Sequence, residues 1–327
     1  MAVYTPLGKH DIDSLLSRYS LGVLDKHTGI TGGVENTNYL LQIRTEQWIQ
    51  RYVLTLFEYQ QASTLPFFIE VTQKLQCNGL PVPAVIQDKH GQSLQTVKGK
   101  PAVIVPFLLG QYPKKPHISH CAQIGTILAK IHQTKLKSSL KQLNHRGIDW
   151  LEAQQERLFK LLAKHEASYM QQQWHSIISE ISGCQTLPKG LIHGDLFTDN
   201  TLFVNGELTG VIDFYQSCYD WLLYDVAVTV NDWCITDNLA LDGEKTSQLL
   251  KHYAAIRPFT RQEKKAWPFM LRLAAFRFWI SRIITFVHPE QPINNANKET
   301  LRQSFLDPDK FKKMLELRTN KPEIWLL

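Results

Sequence analysis

The segment LIHGDLFTDNTLFVNGELTGVIDFY constrains this chain more than any other. Leu191, Ile192 and His193 run into a turn at Gly194, which places Asp195 at the end of a short predicted strand and Asn200 on the loop beyond it. Leu202, Phe203 and Val204, the pair Asn205 and Gly206, and then residues 208–212 read as two strands joined by a tight hairpin, because Asn-Gly tolerates the positive φ that such turns demand. The hairpin folds the chain back on itself and carries Asp213, thirteen residues after Asn200, toward it. A fixed carboxylate at Asp195 can orient an attacking hydroxyl. The amide of Asn200 and the carboxylate of Asp213 are hard oxygen donors, suited to magnesium on the phosphates of ATP. The pattern predicts a phosphoryl-transfer site. A chance hairpin, whose Asp, Asn and Gly serve only as turn residues, is the plain alternative.

A chain of 327 residues has room for two domains or two lobes of one fold. In the first part, short helices are predicted at 11–19 and 66–76, the second broken by Gly79, Pro81 and Pro83. Strands are predicted at 39–43, 52–57, 82–87 and 102–106. Beyond Gly110 the apolar period is helical, at 118–132, 151–169, 174–182 and 224–233, with further helices toward the C-terminus. The expected architecture is α+β and two-lobed: a small antiparallel-sheet lobe over 1–106 and a larger, mainly helical lobe over 107–327, with the hinge near 107–110. The stretch 267–287 has the length of a membrane span, but Arg272, Arg277 and Arg282 interrupt it, so a helix buried in protein is expected and no membrane partner.

Charge narrows the function. The net charge of +6 suits an anionic ligand but comes without the basic runs of a nucleic-acid binder; four lysines between Lys130 and Lys141 read as a solvated helix end. The five cysteines are widely spaced, with no CxxC pair, and MAVYTPLGKHDIDSLL carries charge where a secretory signal needs an apolar core. Free thiols and a cytoplasmic location are expected. The histidines form no HExxH or other clustered pattern, which argues against a metal hydrolase.

The segments GGVENTNYLL, RYVLTLFE, GLPVPAVI, VPFLLG, IHGDLFTDN, GVIDFY and YDVAVTVNDW occur in the order found in the aminoglycoside phosphotransferase superfamily, and the chain resembles most its homoserine kinase branch. The likeness runs from about Gly32 to Trp233 and is weaker in RFWISR and FLDPDKF. It implies a protein-kinase-like fold, ATP and Mg2+ as cofactors, and phosphorylation of a small-molecule hydroxyl. For the homoserine branch this means L-homoserine converted to O-phospho-L-homoserine on the route to threonine. Oligomeric state is not legible.

On this likeness Asp195 orients the acceptor hydroxyl, Asn200 and Asp213 hold the metal, and Asp225 braces the catalytic loop; His193 is either structural or catalytic. Gly32, Gly33, Val34, Asn36 and Asn38 would fold over the triphosphate, although taken alone they match neither GxGxxG nor the Walker pattern and read as an ordinary hairpin turn. Val53, Pro106, Phe107 and Leu108 would meet the base, the last three as part of a hinge or simply an edge strand. Strand alternation puts Thr55 where kinases usually carry a phosphate-binding lysine, so another group must supply that charge; Glu70 would have been the lysine's partner.

For an amino-acid acceptor, Asp232 is the candidate for the ammonium and Arg277 and Arg282 for the carboxylate. Surface or salt-bridging roles remain open for all three. A five-residue spacing turns the two arginines about 140° apart on a helix, which is expected to keep both from one ligand. Kinases for choline or for aminoglycosides, and a non-catalytic nucleotide-binding module, are the competing readings. From residue 240 onward there are 16 Lys and Arg against 9 Asp and Glu, which weighs against a polycationic acceptor, while tryptophans such as Trp221, Trp233, Trp267 and Trp279 keep choline open.

Overall fold

The computed structural model describes residues 3–30, 36–60, 62–136, 142–287 and 307–320. In chain order the elements are α1 (Lys9–Leu16), β1 (Val23–Gly29), β2 (Asn36–Arg44), β3 (Ile49–Phe57), α2 (Leu65–Cys77), β4 (Gln95–Val97), β5 (Lys100–Pro106), α3 (Ile118–Gln133), α4 (Ile148–Phe159), α5 (Lys164–Ile181), β6 (Lys189–Ile192), β7 (Thr201–Val204), β8 (Glu207–Val211), β9 (Cys218–Trp221), α6 (Leu222–Trp233), α7 (Gly243–Ala254), α8 (Arg261–Val287) and α9 (Pro308–Asn320). They divide into two compact units. The first comprises Met1–Tyr112, Leu136–Leu140 and Thr201–Tyr215; the second comprises Pro113–Lys135, Lys141–Asn200 and Gln216–Leu327.

The first unit is built on an antiparallel sheet of order β1-β2-β3-β5-β4. Alternation sends Tyr39, Leu41, Ile43, Leu54, Leu56, Ala102 and Ile104 to one face, where they form a core with Ile12, Leu15 and Leu16 of α1. Each large aliphatic side chain buried there contributes about 1.5–3 kcal/mol relative to exposure. On the other face Phe57 meets Phe68 of α2 and Tyr215, with ring centroids at 6.2 and 5.2 Å. The β7–β8 hairpin belongs to this unit, its Asn205 and Gly206 at φ 51° and 83° as the turn pair predicts. β1 has no signal in the sequence because it is an edge strand with only Leu24 buried, so no apolar alternation develops. The strand predicted over 82–87 does not form: Pro81 and Pro83 have no N–H to give, and the segment bonds β5 through Ile86 N–H to Ile104 O (2.9 Å), while β4 pairs with β5 at Lys100–Ala102.

The second unit is mainly helical, with the small β6–β9 ribbon beneath the loop that follows β6. The predicted helix over 151–169 is in fact two. Leu161 and Leu162 bond back to Leu158 O as α4 ends, and extended Ala163 (φ −58°, ψ 145°) starts α5, which then runs unbroken through 170–173. α8 is buried along most of its length, as Trp267, Phe276 and Ile280 at 0% exposure show. Among the described residues no helix is long and apolar enough to cross a membrane.

Candidate active site

Asp195 stands on a loop that α6 clamps at several points. The fully buried Asp225 carboxylate accepts the N–H of His193 (2.7 Å) and of Gly194 (2.8 Å), Asp232 accepts the N–H of Thr198 (2.8 Å), and Trp233 Nε1 donates to Leu196 O (3.0 Å). Gly194 makes the turn at φ 79°, and a Cβ there would lie 3.0 Å from Gln216 O, so a side chain would be strained on both counts. His193 is wholly buried and its Nδ1 accepts the Asp195 N–H at 3.3 Å, which gives it a structural place in the turn. Asn200 Nδ2 donates to Asp195 O (2.8 Å) and lies 3.5 Å from the Asp195 carboxylate, leaving the amide oxygen as the atom it can offer to a cation.

The brace extends inward. His132 Nε2 bonds Asp225 at 3.0 Å, Tyr253 Oη lies 2.6 Å from His132 Nδ1, and Arg257, paired with Glu263 at 2.8 Å, donates to Tyr253 Oη at 3.2 Å. Burial lowers the His132 pKa against the pull of Asp225, so the imidazole is neutral at pH 7, and the tautomer that satisfies the chain carries its proton on Nε2. Burial alone would raise the Asp225 carboxyl, but its bonds to His132 and to the His193 N–H hold it below the usual carboxylate value.

Around Asp195 the second unit gathers opposite charges. Phe197, Phe278 and Phe311 form an aromatic stack with centroids 4.6 to 6.2 Å apart. The Arg277 guanidinium lies 4.0 Å from the Phe278 centroid, and that of Arg282 lies 5.6 Å from both Phe278 and Phe311. Although about 140° apart around the helix, the two arginines lie against one ring. Long side chains wrap onto the same ring, and both guanidiniums lie within the electrostatic reach of Asp195. Burial lowers both, Arg282 to about 10, which leaves Arg282 cationic at pH 7.

Asp199 joins this cluster, and nothing in its spacing announced it. Burial first, then the charges of Asp232 and Asp195, push its carboxyl up to about 6, while burial also raises Asp232 against Lys310 and the Thr198 N–H. Asp195 Oδ1, Asp199 Oδ1, Arg277 Nε and Arg282 Nε are buried atoms without a hydrogen-bond partner among the described residues. Each such group costs about 1–3 kcal/mol. Unpaired donors and acceptors of opposite charge within reach of one carboxylate can receive a ligand that carries both signs.

The first unit assembles a different set. On the sheet face opposite the core, register places Leu40, Val53 and Val105 in one row and Asn38, Thr55 and Val103 in the next. The apolar row leads into Pro106, Phe107 and Leu108, where Phe107 N–H is held by Arg51 O (3.1 Å) and Leu108 is accommodated against the bare backbone of Gly210. Thr55 is buried and its hydroxyl bonds Asn38 Oδ1 at 2.7 Å. Burial first, then Asp213, raises the Tyr215 pKa, while a bond with Thr55 opposes the shift, so Asp213, Tyr215, Thr55 and Asn38 are near neighbours. Asp213 itself sits at φ 64°. Asn36 is buried with its Oδ1 unpartnered among the described residues. Gly32, Gly33 and Val34 lie outside the described residues. Thus Asp195, Asn200, Asp232, Arg277 and Arg282 fall in the second unit and Asp213 with the base-side candidates in the first.

Comparison with known proteins agrees with these features. A family model described as "Phosphotransferase enzyme family" matches residues 26–259. The chain is 37% identical over 284 residues to a homoserine kinase of Pseudomonas aeruginosa (PAO1), covering 87% of this chain and 89% of that protein. To a homoserine kinase of Polaromonas naphthalenivorans it is 36% identical over 325 residues, covering 98% and 99%. The solved structure of an amicoumacin kinase, hAmiN, in complex with AMP-PNP, Ca2+ and Ami, superposes with a TM-score of 0.72 at 13% identity, over 98% of this chain and 96% of that one. At that identity the likeness speaks to the fold, which is kinase-like. With a family match over most of its length, around an acid-bearing loop of this construction, the chain belongs to the phosphotransferase enzyme family.

Proposed function

We propose that the chain transfers the γ-phosphoryl group of ATP to the hydroxyl of L-homoserine, giving ADP and O-phospho-L-homoserine for threonine biosynthesis. The relatives named homoserine kinase, at 36–37% identity over most of the chain, support the acceptor. The observation that carries the reading is the pairing of two guanidiniums with further carboxylates around Asp195, because a zwitterionic amino acid fits that mixture and a polycation does not. In this reading Arg277 and Arg282 take the acceptor carboxylate and Asp232 stands on the ammonium side. Asp195 aligns the hydroxyl: the acceptor oxygen bonds to the γ-phosphorus, the bond from phosphorus to the ADP oxygen breaks, and the hydroxyl proton passes to Asp195 and then to water.

The donor set fits a magnesium-bound nucleotide. Asn200 turns its amide hydrogens to Asp195 and offers an oxygen, and Asp213 supplies a carboxylate, both hard ligands. Bound magnesium neutralises phosphate charge; the chain's own part is to hold the acceptor and align its oxygen. Val53, Pro106, Phe107 and Leu108 take the base, and Gly32, Gly33, Val34, Asn36 and Asn38 the phosphates. With Thr55 bonded to Asn38, the phosphate contact of the usual lysine passes to loop amides and the metal. The described cysteines are free thiols, and the setting we assign is the cytoplasm.

ADP release measured with L-homoserine, choline and an aminoglycoside in parallel tests the assignment. Turnover dependent on homoserine, and lost in Asp195→Asn, is expected. Equal turnover with choline would end it.

A further inference from the structure

Asp232 is a poor candidate for the sole partner of an ammonium, because its Oδ2 already holds the Thr198 N–H at 2.8 Å and so keeps the loop in place. Asp199 differs. It lies in the turn Thr198–Asn200, is half-buried rather than sealed off, and has one carboxylate oxygen buried without a donor among the described residues. Its charge is within electrostatic reach of Asp195, Asp232 and Arg282. An acidic group alone would say little. The second observation is Arg277, at 4% exposure, whose Nε lacks a partner among the described residues while its guanidinium lies within electrostatic reach of Asp195.

The unsatisfied atoms then match one small molecule group by group. Asp195 Oδ1 can accept a hydroxyl proton, the arginine Nε groups can donate to a carboxylate, and Asp199 Oδ1 is left for a cationic donor. An ammonium there would satisfy the orphaned oxygen and offset the mutual repulsion of the three carboxylates. We propose that Asp199 is the specificity-determining residue that receives the α-ammonium of the acceptor, with Asp232 serving chiefly to position the loop. This rests on the amino-acid acceptor proposed above.

The test compares kcat/KM for L-homoserine and for 4-hydroxybutanoate, which keeps the hydroxyl and carboxylate but has hydrogen in place of the ammonium, in the full-length protein and its variants. If the analogue turns over too slowly, its competitive Ki against homoserine is compared between wild type and variants instead. The wild type should prefer homoserine by about a hundredfold or more, since a site built around a hydrogen-bonding group rejects the analogue that lacks it. Asp199→Asn should lower kcat/KM for homoserine by roughly 10- to 100-fold, the loss of one charge-assisted bond, while changing the analogue's value by no more than about threefold. Asp232→Asn should lower both in parallel. Asp199→Ser provides a second arm, and a thermal shift by MgADP equal to wild type shows that a variant is folded. A wild-type ratio retained in folded Asp199→Asn or Asp199→Ser overturns the inference and leaves the acceptor assignment standing. A wild type inactive on homoserine removes both.

Discussion

Replacing Asp225 by Asn tests the clamp on the Asp195 loop most directly. The substitution keeps volume and changes one atom, yet no orientation of the amide suits the site. If its NH2 replaces Oδ1, it faces the Gly194 N–H; if it replaces Oδ2, it faces both the His193 N–H and the His132 Nε2–H. The gentler orientation orphans one buried N–H, about 1–3 kcal/mol, and removes the charge from the remaining bonds; dismantling a buried charged network of this kind costs about 3–5 kcal/mol in all. The loop would also shift, and about 1 Å of misplacement lowers kcat by roughly a hundredfold. Urea unfolding followed by tryptophan fluorescence reads the second unit, because Trp150, Trp174, Trp221, Trp233, Trp267 and Trp279 lie there. The sign with pH is set by the lowered carboxyl: its contribution is fully present above the unfolded value of about 3.8 and is lost as pH falls through the folded value. Wild type and variant should therefore differ by the same amount from pH 6 to 8, about 3–5 kcal/mol, and converge only in acid. A variant within about 1 kcal/mol of wild type, with kcat within about threefold, would refute the clamp.

Two further outcomes are expected. Because His132 is held neutral with a folded pKa below the unfolded value of 6.5, the unfolded chain binds the extra proton and stability falls as pH drops below about 6.5, by up to about 1.4 kcal/mol per pH unit. Urea midpoints from pH 7.5 to 5 should fall less steeply in His132→Asn, and equal slopes would count against a buried neutral imidazole. In Gly125→Ala the new Cβ would lie 2.2 Å from Leu249 O, so α3 and α7 must part, at a cost of about 1–3 kcal/mol or more; a melting temperature equal to wild type would contradict that close approach.

What could be read from the chain alone was what repeats or turns locally. The helical period located α3 and α6 to within a residue or two, alternation located β2 and β3, and Asn205-Gly206 marked its hairpin, because each of these signals is generated by residues a few positions apart. Where local signals were weak or mixed, the reading failed: edge strand β1 has one buried side chain, and the apolar run at 82–87 follows Pro81 and is broken by Pro83. The proposed acceptor side was only half legible. Asp195, Asn200, Arg277 and Arg282 were visible as residue types in suggestive places, and Asp225 through the family likeness.

Tertiary structure decided the rest. It set His132 against Asp225 across 93 positions, drew two arginines from different sides of α8 onto one phenylalanine, and left Asp199 with an oxygen unanswered among the described residues. Burial, orphaned atoms and shifted proton affinities depend on neighbours supplied by remote parts of the chain. No periodicity in the sequence encodes them, and only the folded packing of α3, α6, α8 and α9 around one loop brings them into being.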